Sequence, residues 1–133
     1  MEKYPPQKNP MVSVDINLDG TGTYKKSITS DRGTFEKTKQ FRVNAKQLEY
    51  VYFQVMRANF FDIEEVLGSP DMKKGTIIKV TVKIDHHMHS VTMYGERYLA
   101  VDDIVNAVLK FMPDDLKKDY NRKNFNYSEI KLP

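Results

Sequence analysis

From Met11 to Leu18 apolar and polar residues alternate strictly. Val12, Val14, Ile16 and Leu18 share one parity, and Ser13, Asp15 and Asn17 the other. Period-two alternation is the mark of a strand with one buried face. Asp19-Gly20-Thr21-Gly22 is a turn signal, and a second strand follows over about Gly22 to Ile28. For Tyr24 to share the face of Val14 and Ile16, the connection must hold an odd number of residues, which a three-residue loop ending in a Gly bulge supplies. After Ser30-Asp31-Arg32-Gly33 a third strand runs from about Thr34 to Val43. Only Phe41 and Val43 in it read as core, so strands two and three are expected to project as a solvated ribbon.

Asn44 and Gln47 stand at capping-box spacing before Leu48, Val51, Tyr52 and Val55, which mark one face of a helix ending near Asn59. Phe60, Phe61 and Ile63 are expected to anchor its exit to the core. A loop over Gly68 to Gly75 leads to the second alternating hairpin, with Ile78, Val80, Val82 and Ile84 in its first strand. Pairing Ile84 with His89, Val82 with Val91 and Val80 with Met93 sets apolar residues opposite apolar residues. That places a two- or four-residue connection around His86-His87. A last helix uses Val101, Ile104, Val105, Val108, Leu109 and Met112, with Asp102 and Asp103 near its positive end. Pro113 closes that helix or opens a short turn over 114–119. The pattern predicts an α+β fold: an antiparallel sheet of about five strands, two main helices packed on one face, in the order ββ-β-α-ββ-α. It divides the chain into a lead-in over 1–10, one domain over 11–120 and a basic, aromatic tail over 121–133. Both halves follow a hairpin with a helix, yet they share little residue identity.

Composition narrows the functional classes. At 133 residues with 40% hydrophobic content, one core without disulfides or metal is within reach. There is no cysteine, which excludes disulfides, thiolate metal sites and thiol nucleophiles. The net charge of +3 comes from 21 basic and 18 acidic residues spread along the chain, too even a field to indicate a polyanion partner. No apolar run is long enough for a membrane span, and Met1 to Pro6 lacks the apolar stretch of a signal peptide. The expectation is a cytoplasmic protein, or an exported or periplasmic one if a leader has been removed.

Leu18-Asp19-Gly20-Thr21-Gly22-Thr23-Tyr24, Ala58-Asn59-Phe60-Phe61, Thr81-Val82-Lys83-Ile84-Asp85 and Val91-Thr92-Met93-Tyr94-Gly95 together carry a likeness over most of residues 11–112. In them the chain resembles a bacterial family of small α+β domains of unknown function, found in cytoplasmic, exported and lipoprotein contexts. The resemblance implies the fold and carries no activity or catalytic residue. That family's second hairpin usually turns on a glycine, where this chain has His86 or His87.

Three constellations are candidates for chemistry. Asp85-His86-His87-Met88-His89 holds every histidine of the chain. In an extended segment Asp85, His87 and His89 point to one side and offer a carboxylate and two imidazoles to Zn²⁺, Ni²⁺ or Cu²⁺. The plainer reading is a solvated hairpin tip with His89 capping the sheet face. Lys79 and Lys83 on one strand, Lys25, Lys37 and Lys39 along the ribbon, and Tyr24 and Tyr94 as aromatic companions form a possible nucleic-acid face. Exposed strand lysines more often guard against edge pairing, so nucleic acid is disfavoured. The first helix carries Tyr50, Tyr52, Phe53 and Met56, apolar around more than half its girth. Tyr50 and Phe53 lie off the core stripe, and with Phe125 and Tyr127 of the tail they are the candidate residues for binding another protein or a second copy. The same tail could instead cover that face within the molecule. No serine has a nucleophile-elbow setting and no glycine pair a phosphate-loop setting. The reading is therefore a non-enzymatic protein- or peptide-binding module without a cofactor.

Overall fold

The computed structural model of the protein describes residues 10–30, 33–69, 76–95 and 97–112. Strand β1 (Met11–Asn17) turns through Leu18, Asp19 and Gly20 into β2 (Thr21–Ser30). Gly20 takes a φ of 105°, which glycine adopts at no steric cost, and Val14 comes to face Tyr24. Gly22 lies against the Phe41 ring and the Asp15 carbonyl oxygen, where any Cβ would collide. Strand β3 (Gly33–Arg42) pairs with β2 along its whole length and is exposed except at Phe41. Helix α1 (Ala45–Arg57) starts on Asn44, whose side chain accepts from the Gln47 N–H at 2.8 Å. The Gln47 side chain accepts in return from the Asn44 N–H at 2.9 Å. Strand β4 (Val66–Gly68), strands β5 (Ile77–Ile84) and β6 (His87–Tyr94), and helix α2 (Leu99–Leu109) complete the described elements.

The sheet is mixed and six-stranded, in the order β3-β2-β1-β5-β6-β4. This corrects the expectation of about five antiparallel strands. Strand β1 runs parallel to β5, and β4 parallel to β6. Side-chain alternation is blind to the direction of a neighbouring strand. A parallel pair needs a long crossover, which the ribbon and α1 supply between β1 and β5. Strand β4, three residues long, falls at the edge of the expected Gly68–Gly75 loop and is too short to show a period. The second hairpin is also paired two residues away from the expected register: Ile84 faces His87, Val82 faces His89 and Val80 faces Val91. A shift of two keeps every side chain on its face, so burial was predicted where pairing was not.

The apolar parity of all four long inner strands faces the helices. Val12, Val14, Tyr24, Ile78, Val80, Val82, Val91 and Met93 are fully buried there against Val51 and Val55 of α1 and Val101, Ile104 and Val105 of α2. Tyr52, placed on the core stripe by spacing, is 45% exposed. One helical step beyond Val51 turns it away from a sheet that α1 touches on a narrow front. Seen from the helix side β2 lies on one flank of the parallel pair and β6 on the other, so the two hairpins are of opposite hand and the repeated pattern is no rotational repeat.

Among the described residues, one charged pair sits inside. Arg97 Nε donates to Asp102 Oδ2 at 2.8 Å, with the two residues 2% and 1% exposed. Asp102 is thus more than a counter-charge at the start of α2. It ties the segment leaving β6 to the first turn of the helix. Truncating one partner strands a charge in the interior, so Asp102→Ala is expected to cost about 3–5 kcal/mol in urea unfolding. Replacing both partners together with Arg97→Met and Asp102→Leu should recover most of that loss. At the first turn, Asp19 accepts from the Thr21 hydroxyl at 2.7 Å and the Thr21 N–H at 2.9 Å. These bonds, the hydroxyl first, hold its carboxyl below its ordinary value near 3.8. A depressed value means stability present above the unfolded-state value and lost as pH falls through the lower folded-state one. Asp19→Asn should therefore unfold at lower urea than the parent at neutral pH. The gap should narrow as the pH drops below the ordinary carboxylate range.

Candidate functional site

The capping box sets where α1 begins and hence which residues it turns inward. With Val51 and Val55 against the sheet, Tyr50 and Phe53 stand on the outer side, 40% and 57% exposed. The end of α2 approaches from beside them. Phe111 meets the Tyr50 ring edge-on at 6.2 Å between centroids, and the Lys110 ammonium lies 4.8 Å from the Tyr50 centroid, a cation–π distance. Lys46, Gln47, Glu49, Tyr50, Phe53 and Phe111 line an open groove of about 710 Å³. A second hollow of about 490 Å³ lies between Gln54 and Arg57 of α1 and Asp103 and Asn106 of α2, with Tyr50 as the wall between the two. Tyr50 and Phe53, singled out from spacing, are thus brought together on one surface. Phe125 and Tyr127 lie outside the described residues. Lys110 and Phe111 were missed, because they follow the apolar stripe of α2 and only tertiary packing lays them beside α1.

The histidine cluster divides. Asp85 and His86 form the two-residue turn between β5 and β6, and Asp85 takes a φ of 50°. His87 is exposed, while His89 is half-buried on the helix side of β6. His89 Nε2 lies 2.7 Å from the Ile63 carbonyl oxygen, which can only accept, so that nitrogen carries the proton and donates. The ring packs edge-on to Phe60 at 5.5 Å and tilted over Phe61 at 6.1 Å. A nitrogen donating in this way is not available to a metal. Among the described residues no group of three His, Asp or Glu side chains is placed to hold an ion. The candidate ligand Asp85 instead takes a left-handed backbone conformation, which Asp tolerates better than most residues.

The lysines fall on two faces. Lys79 and Lys83 share the sheet face opposite the helices with Lys25, whereas Lys37 and Lys39 pair across from Lys26 and Tyr24 on the helix-side face. Tyr24 is fully buried and offers no ring for stacking, and Tyr94 is half-buried beside Ile77 on the face opposite the helices. No described helix is long and apolar enough to cross a membrane. No family model, curated protein or solved structure matches this chain.

A positive φ at a non-glycine residue costs on the order of 1 kcal/mol. Asp85→Gly is expected to stabilise the fold by up to about that amount in thermal or urea unfolding, whereas Asp85→Val should destabilise it.

Proposed function

We propose that the chain is a bacterial α+β domain acting without catalysis as a binding module for another protein. The outer face of α1 is its contact surface in this reading. The observation that carries it is the gathering of Tyr50, Tyr52, Phe53 and Met56 on seven consecutive residues of one helix, each 40–57% exposed. Monomeric surfaces rarely keep large apolar side chains together unless something covers them. Tyrosine and phenylalanine also suit the purpose, since they bury large area with few rotatable bonds.

The groove beside Tyr50 and Phe53 selects the partner's chemistry. Lys46 and Lys110 border it with one acidic residue, Glu49, which leaves the lining net cationic, and Phe111 extends its apolar floor. A segment with a large apolar side chain beside an Asp or Glu fits this combination, the apolar group seated against Phe53 and Phe111 and the carboxylate reaching a lysine. Phe125 and Tyr127 belong to the same reading, as residues that would extend this surface.

Panning a random peptide library on the full chain tests the proposal. Enriched peptides are expected to pair a large apolar residue with an acidic one. Phe53→Ser or Tyr50→Ser should weaken the best of them by about tenfold or more, Phe53→Ser with unchanged unfolding and Tyr50→Ser with the added loss of its Phe111 contact. No enrichment over an unrelated protein, or affinities indifferent to both substitutions, would overturn it. Sedimentation of the same variants identifies self-association: a dimer dissolved by Phe53→Ser would make a second copy the partner.

A further inference from the structure

The two helices meet along a polar seam. Tyr50 of α1 sits beside Lys110 and Phe111 of α2, and Ala58 and Asn59 line one hollow with Leu99 and Ala100, so the helices run antiparallel. Their facing rows are Tyr50, Gln54 and Arg57 on one side and Asp103, Asn106 and Lys110 on the other, each at the spacing of a single helix stripe. Packed helices normally close such a seam with apolar side chains. Here the α2 wall carries the small residues Ala100 and Ala107, and the seam stays open as the hollow of about 490 Å³ and an adjoining one of about 210 Å³. Gln54, Arg57 and Asp103 line both, so they stand where the two join. No ion pair or side-chain hydrogen bond links any of these three to another described residue, although a guanidinium and a carboxylate share one cleft. Lys110, 4.8 Å from the Tyr50 centroid, places a second cation at the far end of the larger hollow.

We propose that this seam is a binding site for a small dicarboxylic α-amino acid. The α-carboxylate pairs with the Arg57 guanidinium, whose fork suits two parallel hydrogen bonds, and the α-ammonium pairs with the Asp103 carboxylate. A zwitterion between them satisfies at once two charges that do not satisfy each other. Gln54, at the same junction, offers both a donor and an acceptor. The side chain extends through the larger hollow towards Lys110, whose ammonium meets the second carboxylate. The lining carries two cations and one anion, and the ligand two carboxylates and one ammonium, so the charges match in number and sign. A dicarboxylate without an ammonium leaves Asp103 facing further negative charge, and a diamine leaves Arg57 and Lys110 facing positive charge. The size of the larger hollow is ordinary for a small-molecule site. Phe53 lines neither hollow, so the outer face of α1 takes no part.

Isothermal titration of the full chain with L-glutamate tests this. Saturable binding is expected with a Kd between about 10 μM and 1 mM, the range open to so small a polar ligand. Glutarate, which lacks the ammonium, and L-leucine, which lacks the second carboxylate, should each bind at least about tenfold more weakly. Arg57→Met should weaken L-glutamate by about tenfold or more. Asp103→Asn should weaken it as well and abolish its preference over glutarate, a change of selectivity that a merely structural role would not produce. Lys110→Met should bring L-glutamate down to the level of L-leucine. Phe53→Ser should leave the titration unchanged, which separates this cleft from the α1 face. No binding of L-glutamate at up to about 10 mM, equal binding of glutarate or L-leucine, or an affinity indifferent to Arg57→Met and Asp103→Asn would overturn the proposal.

Discussion

Strands β1 and β5 lie parallel and in register, so that Val12, Val14 and Ile16 sit beside Ile78, Val80 and Val82 at the middle of the sheet. These six side chains are at most 3% exposed, and burial of each is worth about 1.5–3 kcal/mol. By comparison, an exposed pair such as Lys25–Glu36 contributes under about 1 kcal/mol. The seam joins the first strands of two hairpins, pairing residues that lie 66 positions apart in the chain, and a two-stranded hairpin alone is at best marginally stable. Without this pairing neither α1 nor α2 has a floor to pack on.

The same seam decides what is left exposed. Because the hairpins meet through their first strands, β2 and β6 are pushed outward and β3 and β4 become the edges. Strand β4 is short, and β3 is polar and bears lysines, which are two common ways of blunting an edge against unwanted pairing. The ribbon then outreaches β1, and among the described residues Phe35 is left 71% exposed on it. Helix α1, laid across only part of the sheet, buries Val51 and Val55 and leaves the far side of its girth to solvent or to a partner.

Polar groups inside this frame do positional work. The Arg97–Asp102 pair fastens the entry of α2, and the His89 imidazole joins β6 to the backbone at Ile63 while capping the apolar row that ends at Val91. Both are local hinges between a strand and the helix or loop beside it. In each case a hydrogen bond to a defined acceptor sets the geometry more sharply than apolar contact could. In the histidine-rich segment, the most eye-catching run in the chain, packing and a hydrogen bond account for His89, while His86 and His87 lie exposed.

What was legible in the sequence follows from periodicity. Alternation identified the inner strands and their buried parity, and the spacing of Leu48, Val51 and Val55 identified α1 down to its Asn44 cap. The run from Val101 to Leu109 identified α2. The exposed aromatics Tyr50 and Phe53 could also be read, because they fall off the core stripe. Strand direction, the two-residue register of β5 with β6, strand β4, the buried Arg97–Asp102 pair and the company of Phe111 with Tyr50 could not. Each depends on which distant segment lies alongside. The sequence by itself determined which side of every element avoids water, since that is a property of neighbouring residues a few ångströms apart. Only the tertiary structure decided which of those sides meet, because long-range pairing is chosen by the packing of the whole core and leaves no period in the chain.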